Sequence, residues 1–443
     1  MNFSRFFLPF LITPCLVLTA EEPAQPIDGQ SADHAAPIER KSPAVLSIDD
    51  ALARTAASNP ELNVLGIGRE AADGRVEQAG MGPNPTLSIA VENFGGTGRA
   101  RGSDIMELTV QASQLIERGD KSDRRIAFAE SERNVAQASL VLRKSEILAT
   151  SANAFVKVLA EKTRLTLVDE QLRLAQETLV SANRRLQAAT ASLAEVARAK
   201  AALASAQAEF SRAQSAASLS LSALAASWGG TAGDIAGIKG AIRLPDAPPA
   251  LAQFENALTV SGNPRLGLIS SVVAGQRAAL EVESSRGVAD VTVGAGVRRL
   301  NESPDTAFVF GASVPLTFRD DNSGNIRAAR TLVRAAEQSM RAAEAEQRAA
   351  LLAVHAELLA AHAQATALRS EALPAAEEAC VSVQSAYDKG ILPLIDVLDA
   401  RRALIALRRD LLDAETAYAF ALVRAETLTG APFTQTKALL GQP

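Results

Sequence analysis

Between Asp104 and Ala112 apolar and polar side chains alternate: Met106, Leu108, Val110 and Ala112 fall on one side of an extended chain, and Glu107, Thr109 and Gln111 on the other. Leu87, Ile89 and Val91 oppose Thr86, Ser88 and Glu92 in the same manner. Val291, Val293, Ala295 and Val297 oppose Asp290, Thr292 and Arg298, and Phe308, Phe310, Ala312, Val314 and Leu316 make a fourth apolar row. A period of two predicts strands with one apolar and one polar face. We place them at about 86–93, 103–113, 289–299 and 307–318. Two settings fit the alternation: a sheet packed on helices, or the lipid-facing strands of a transmembrane β-barrel, which run to about 9–11 residues. Phe94, Phe308 and Phe318 stand at segment ends, where barrels carry aromatic girdles, and favour the membrane.

The rest of the chain has a period of seven. Val196, Leu203, Phe210, Ala217 and Leu224 form one heptad row, with Ala199, Ala206, Ala213 and Ser220 beside it. Val397, Leu404, Leu411, Tyr418 and Ala425 repeat that row, with Ala400, Leu407, Ala414, Ala421 and Leu428 beside it. The offset is 397 − 196 = 201 at every heptad position, so the chain is an internal duplication. Strict sevens imply left-handed coiled-coil packing, and the small companion residues let helix backbones approach closely. The arms before the turns are helical from about 120 to 189 and from 325 to 389, with a kink expected at Pro374. The first arm would be on the order of 100 Å long.

Each copy opens on an Asn-Pro helix start, Asn59-Pro60 and Asn263-Pro264, where Asn caps free N–H groups and Pro suits the first turn. The expected organisation is a signal peptide over 1–20 and a disordered leader over 21–45. The first repeat then covers 46–228 with its helical hairpin at about 120–228, and a Gly/Pro-rich linker fills 229–250. The second repeat covers 251–430, with its hairpin at about 325–428, and a tail runs over 431–443. Arg5, the apolar stretch from Phe6 to Leu18 and the polar Glu21-Glu22 carry the signal. Cys15 raises lipid anchoring as an alternative, but Pro14 stands before it where a small residue is needed. No other run of 18 apolar residues remains, so no transmembrane helix is expected in the exported chain.

Composition narrows the function. Basic and acidic residues number 45 and 50, and the net charge of −5 offers no footprint for nucleic acid. The chain holds two cysteines and three histidines, too few for a Cys/His zinc site. His355 and His362 lie seven apart on one helical face, yet no carboxylate or thiol completes a ligand set, and Cys380 reads as a small packing residue. There is no nucleophile elbow, phosphate-binding Gly loop or H-E-x-x-H. Neither a cofactor nor an enzyme is expected.

Four strands cannot close a barrel, and an open edge in lipid leaves backbone groups unpaired at several kcal/mol each. A barrel would have to be shared between chains, and three copies of four strands give twelve. The fold class is therefore mainly α with membrane β: long coiled-coil helices forming an α-barrel, plus four strands per chain contributing to a shared 12-stranded outer-membrane β-barrel.

The chain resembles the outer membrane efflux proteins typified by TolC, and within them the heavy-metal branch similar to CzcC. The resemblance covers about 46–430. It is carried by Asn59-Pro60, Gly82-Pro83-Asn84-Pro85, the run from Ser113 to Lys121, Val314-Pro315-Leu316 and Gly324-Asn325. Its most specific part is Tyr387-Asp388-Lys389-Gly390 leading into Asp396-Val397-Leu398-Asp399-Ala400. It implies a homotrimer in outer-membrane lipid, docked to a periplasmic adaptor (membrane fusion protein) and an inner-membrane efflux pump of the RND type. It further implies that Asp396 and Asp399, with Glu195 aligned through the same offset, ring the periplasmic pore entrance. Two departures concern the periplasmic turns: Thr190 stands where the first usually has Gly, and Leu392 stands where relatives carry an Arg that helps hold the tip closed. A rival reading, a periplasmic coiled-coil adaptor or scaffold without a channel, explains the signal and the heptads but not four alternating segments in two equivalent places. Within the channel class, a drug efflux or type I protein secretion conduit stands beside a metal-ion one.

Overall fold

A computed structural model of the chain describes residues 44–303, 305–431 and 433–441. The signal peptide, Cys15 and the leader up to Pro43 lie outside the described residues, as do the last two residues of the tail.

The first repeat runs β1 (Ala44–Leu46), α1 (Ile48–Ser58), α2 (Pro60–Ala79), β2 (Thr86–Glu92), β3 (Glu107–Ile116), α3 (Lys121–Gln187) and α4 (Leu193–Ala226). The linker then carries β4 (Ile235–Ile238), the second repeat runs α5 (Leu251–Ala257), α6 (Pro264–Arg286), β5 (Val291–Leu300), β6 (Thr306–Ser313), α7 (Ser323–Ala367), α8 (Leu373–Asp388) and α9 (Leu394–Thr429), and the tail carries α10 (Thr434–Leu440). Two strands differ from expectation. β3 covers 107–116 instead of about 103–113, because Met106 is drawn into the preceding loop, its N–H bonded to the Ser103 carbonyl at 3.1 Å. β6 ends at Ser313, not near 318, leaving Val314 and Leu316 outside the sheet; Pro315 has no N–H to continue a ladder.

The two Asn-Pro motifs do the same job twice. Asn59 Oδ1 accepts from the N–H groups of Glu61 (2.9 Å) and Leu62 (3.2 Å), while its Nδ2 donates to the Ser227 carbonyl at 2.8 Å. Asn263 Oδ1 accepts from Leu266 N–H at 2.8 Å, and its Nδ2 donates to the Leu428 carbonyl at 2.5 Å. Ser227 and Leu428 are themselves 201 apart. One side chain thus caps the helix it begins and holds the far end of the returning hairpin.

α3 is continuous over 67 residues, but its counterpart is broken. Leu368–Ala372 form a π-helical turn between α7 and α8, directly before Pro374. Proline cannot donate to the carbonyl four residues earlier, and the ladder widens there. Ser323–Asp388 also contains an 18-residue window of mean hydropathy 1.2, long and apolar enough by composition to pass for a spanning helix, against the expectation of none. Within that span α7 packs on α6 and α9.

The main core gathers the middle of α3 and the C-terminal halves of α7 and α9 with the end of α4, α1, β1, β4 and α10. Phe155, Leu224, Leu351, Leu358 and Tyr418 are fully buried within it, and burial pushes the Tyr418 phenol up to about 12. The linker is not irregular throughout: β4 pairs in parallel with β1, with Ala44 opposite Ile235 and Leu46 opposite Ile238. The tail likewise contains α10, whose start is fixed by the buried Glu426 carboxylate accepting from the N–H groups of Gln435 (2.8 Å) and Thr436 (3.1 Å). His355 and His362 turn out to be fasteners. Their Nε2 atoms bond the Pro249 (3.2 Å) and Pro245 (2.8 Å) carbonyls and tie the linker onto α7.

In α4 the small companion row, Ala199, Ala206, Ala213 and Ser220, is buried, while Leu203 and Phe210 of the larger row are half-buried. Small side chains here mark the closest helix approach within one copy.

Candidate functional site

The four long strands form one antiparallel sheet in the order β2-β3-β5-β6, so the two repeats join through β3 and β5. Directly opposed residues share a face. Leu87, Ile89 and Val91 lie opposite Ala112, Val110 and Leu108; Ala112 and Val110 continue through Ala295 and Val297 to Phe310 and Phe308, while Leu108 lies opposite Arg299. That apolar face is bare: Leu87, Ile89, Phe308 and Phe310 are 65–79% exposed. The other face carries Thr86, Ser88, Ala90 and Glu92, then Glu107, Thr109, Gln111 and Ser113, then Thr292, Gly294, Gly296 and Arg298. It is close-packed around Gln111, since a Cβ at Gly294 would lie 2.3 Å from Gln111 Nε2 and one at Gly296 would lie 2.4 Å from the Val110 carbonyl oxygen. An exposed apolar face backed by a polar one is the inverse of a soluble sheet. Both edges, β2 and β6, are unpaired among the described residues.

The strands pass into the helices through a fixed joint. Asp290 Oδ1 accepts from Arg118 N–H at 3.1 Å and from Lys121 Nζ at 2.7 Å, and Arg125 pairs with Glu117, its Nη2 lying 3.0 Å from Glu117 Oε2.

At the other end, both hairpins turn by the same motif. Ala189 (φ +58°) and Gly390 (φ +75°) take the left-handed conformation. The next N–H in each turn reaches back five residues, Thr190 to the Arg185 carbonyl and Ile391 to the Ala386 carbonyl, both at 2.9 Å. This corrects the alignment of the first turn. Ala189, not Thr190, stands at the position of Gly390, and Thr190 matches Ile391, adding a hydroxyl bond to the Arg185 carbonyl at 3.1 Å. Leu392 is half-buried beyond the second turn.

The turns share a satellite core of Ala182, Val196, Ala199, Tyr387, Leu394, Val397 and Leu398. Glu195 and Asp396 adjoin Val196 and Val397 of that core in sequence. Asp396 is half-buried; Asp399 is exposed and pairs with Arg402 at 3.1 Å. Glu195 Oε2 is enclosed without a hydrogen-bond partner.

Sequence reasoning missed the cations here. Arg185 stacks on Tyr387, 4.3 Å from its ring centroid, and donates to its carbonyl at 3.2 Å, joining the first hairpin to the second. Arg401 donates to Thr178 Oγ1 (2.6 Å), the Leu174 carbonyl (3.2 Å) and Gln384 Oε1 (2.7 Å), crossing from α9 to α3 and α8. Seven residues on, Arg408 bonds Glu170 (3.2 Å) and Glu377 (3.0 Å). The heptad interval between Arg401 and Arg408 was the available signal. Cys380 is half-buried and lines a groove of about 550 Å³ between α3, α8 and α9.

Comparison with known proteins agrees with this geometry. The chain is 29% identical over 327 residues, covering 73% of its length and 75% of the relative's, to the cobalt-zinc-cadmium resistance protein CzcC of Cupriavidus metallidurans. Its fold matches the outer membrane protein VceC of Vibrio cholerae, with a TM-score of 0.72 at 19% identity, covering 87% of this chain and 96% of that one. It also matches the open state of the Neisseria gonorrhoeae MtrE outer membrane channel, with a TM-score of 0.67 at 16% identity, covering 87% and 89%. The outer membrane efflux protein profile matches residues 51–230 and 273–431, one stretch in each repeat. The chain belongs to the outer membrane efflux protein family, a family of channels rather than enzymes.

Proposed function

We propose that this protein is the outer-membrane exit duct of a tripartite efflux system, passively conducting heavy-metal cations delivered by an inner-membrane RND-type pump and a periplasmic adaptor. Three copies close the sheet into a 12-stranded barrel, β6 of one meeting β2 of the next, and the helical hairpins continue it into the periplasm. The observation that carries the reading is the continuous bare apolar face on a sheet whose two edges are both unpaired. In water that face would aggregate, and in lipid the edges would be untenable unless copies join. The order β2-β3-β5-β6 supports closure, because strand direction alternates across it and a further β2 would continue the antiparallel pattern. The cargo rests on the likeness to CzcC.

Asp396 and Asp399, with Glu195, form the periplasmic entrance in this reading. Asp396 and Asp399 lie one helical turn apart just after the turn, on a helix whose Val397 is committed to the satellite core. Acids gathered around a narrow opening concentrate cations.

Crosslinking in outer-membrane fractions followed by mass measurement is expected to give a trimer, and deletion to lower resistance to divalent heavy metals while leaving the pump in place. A dominant monomer or dimer would overturn the shared barrel. Unchanged metal tolerance with lost drug tolerance would move the cargo to the drug class. Asp396→Ala with Asp399→Ala is expected to lower cation selectivity and relieve block by trivalent cations from the periplasmic side. Wild-type values for both would place these acids outside the pore.

A further inference from the structure

The polar face of the sheet carries its charges at one end only. Among the described strand residues on that face, Glu92, Glu107 and Arg298 are the charged ones, and all three lie beside the loops that connect β2 to β3 and β5 to β6. Below them the lining is uncharged: Ser88, Ala90, Thr109, Gln111, Gly294 and Gly296. Glu92 and Glu107 are directly opposed across β2 and β3, an arrangement that repulsion disfavours. Arg298 resolves it. Its Nη1 lies 2.8 Å from Glu107 Oε2, its Nη2 lies 3.5 Å from Glu92 Oε2, and its Nε donates to Thr109 Oγ1 at 3.0 Å. Asn93 Nδ2 adds a bond to Glu107 at 3.2 Å.

We propose that Glu92, Glu107 and Arg298 form a charge collar that sets the ion selectivity of the channel's outer mouth, with Arg298 as the residue that tunes it. The inference rests on the channel reading above, in which the polar face lines the bore and the strand loops face outward. On the polar face, two carboxylates against one guanidinium leave each copy a formal charge of −1 at this level. The side chains are between 22% and 55% exposed, so the pairs add little to stability. Their field acts instead on ions passing within a screening length of about 10 Å at 0.1 M salt. Arg298 halves the formal charge that the carboxylates alone would carry, and it holds both in place across three strands. The collar stands at the opposite end of the chain from Asp396 and Asp399, so the two act on opposite mouths.

Reversal potentials of the purified full-length protein in planar bilayers, measured under a KCl gradient, test this. Arg298→Gln is expected to raise the K⁺/Cl⁻ permeability ratio by about two-fold, and Glu92→Gln to lower it by a similar factor. Arg298→Lys is expected to stay near wild type, since it keeps the charge, and this separates a field effect from a structural one. The changes should be larger when the dilute solution bathes the outer side. Should Arg298→Gln fail to assemble, Glu92→Gln, which gives up only the 3.5 Å contact with Arg298, carries the test alone. Wild-type ratios in the variants that assemble would overturn the collar while leaving the channel intact. A wild-type protein that conducts nothing would instead bring down the channel reading, and the collar with it.

Discussion

The two repeats began as copies, and the places where they still agree differ in kind from those where they have parted. They agree at backbone joints. Asn59 and Asn263 each cap a helix and hold a carbonyl 201 residues apart, and both periplasmic turns place a left-handed residue before a bond reaching back five positions. They differ along the hairpins and at side chains beyond the turns. α3 is unbroken while α7 and α8 meet at a π turn, and the Asp396/Asp399 pair corresponds to Glu195 and Arg198. Joints are constrained by unsatisfied backbone groups, which admit few solutions. Helix faces are constrained only by what they touch, and within one chain each repeat touches something different.

The sharpest break in this comparison is expected at the caps themselves. Asn263 is 1% exposed and one of its three bonds goes to the buried Gln347 side chain at 3.2 Å, whereas Asn59 is half-buried and its three bonds all go to backbone groups. Removing a buried group with several partners strands each of them, so Asn263→Ala is expected to cost about 3 kcal/mol and Asn59→Ala about 1 kcal/mol. Urea unfolding of the purified assembly checks the order. Equal losses would mean that the caps contribute through the helix ends alone and that burial adds nothing.

The turns should respond with opposite signs. Gly390 adopts φ +75° freely, with nothing within 4 Å of the position a Cβ would take, so Gly390→Val acts through backbone strain alone and is expected to cost more than about 1 kcal/mol. Ala189 already bears that strain at φ +58°, and Ala189→Gly is expected to gain up to about 1 kcal/mol. Trimer yield and unfolding midpoints measure both. A loss at Ala189→Gly would show that its side chain has a contact the first turn depends on.

Much of this was legible in the chain. The alternation located all four strands, and the heptads located the hairpins and the duplication, because both patterns are written in single residues at fixed intervals. Pairings between distant segments were not. β1 joins β4 across nearly the whole first repeat, and a three-residue strand is too short to show alternation. The start of β3 was misplaced because Met106 keeps the apolar alternation although its backbone belongs to the loop, with its carbonyl accepting from Asn301 N–H at 2.9 Å. Arg185 escaped notice because a single cationic side chain crossing to another helix leaves no periodic trace, and Arg401 because its one heptad step to Arg408 does not name the partners it reaches. The first turn was misread by one position, although the 201 offset, applied to Gly390, gives Ala189.

Arg185 sharpens the comparison at a smaller scale. It leaves the first repeat to stack on Tyr387 of the second, while its counterpart in the second repeat is Ala386. Arg185→Ala is expected to cost about 1 kcal/mol through the lost cation–π contact and hydrogen bond. Arg185→Lys should recover part of this, since an ammonium can sit over the ring but cannot also span to the carbonyl with a planar fork. A tip that opens no more readily in Arg185→Ala, judged by spontaneous conductance, would remove Arg185 from any role in holding the two hairpins together.

The smallest expected effect on stability is the most informative about the entrance. Asp399 and Arg402 are 62% and 67% exposed and sit one turn apart on the same helix, so their 3.1 Å pair is worth less than about 0.5 kcal/mol. In the first repeat the corresponding positions are Arg198 and Ala201, so this pair arose in one copy only. Arg402→Ala should therefore leave unfolding unchanged. If Asp399 faces the pore, however, the substitution removes the charge that partly cancels it, and cation selectivity measured from the periplasmic side should rise. Asp399→Asn should lower it, and Arg198→Ala in the first repeat should raise it, since there a cation stands one turn beyond Glu195. Selectivity that ignores all three substitutions would mean that the first turns of α4 and α9 point their charges at bulk solvent, and that the divergence of the repeats at these positions has nothing to do with conduction.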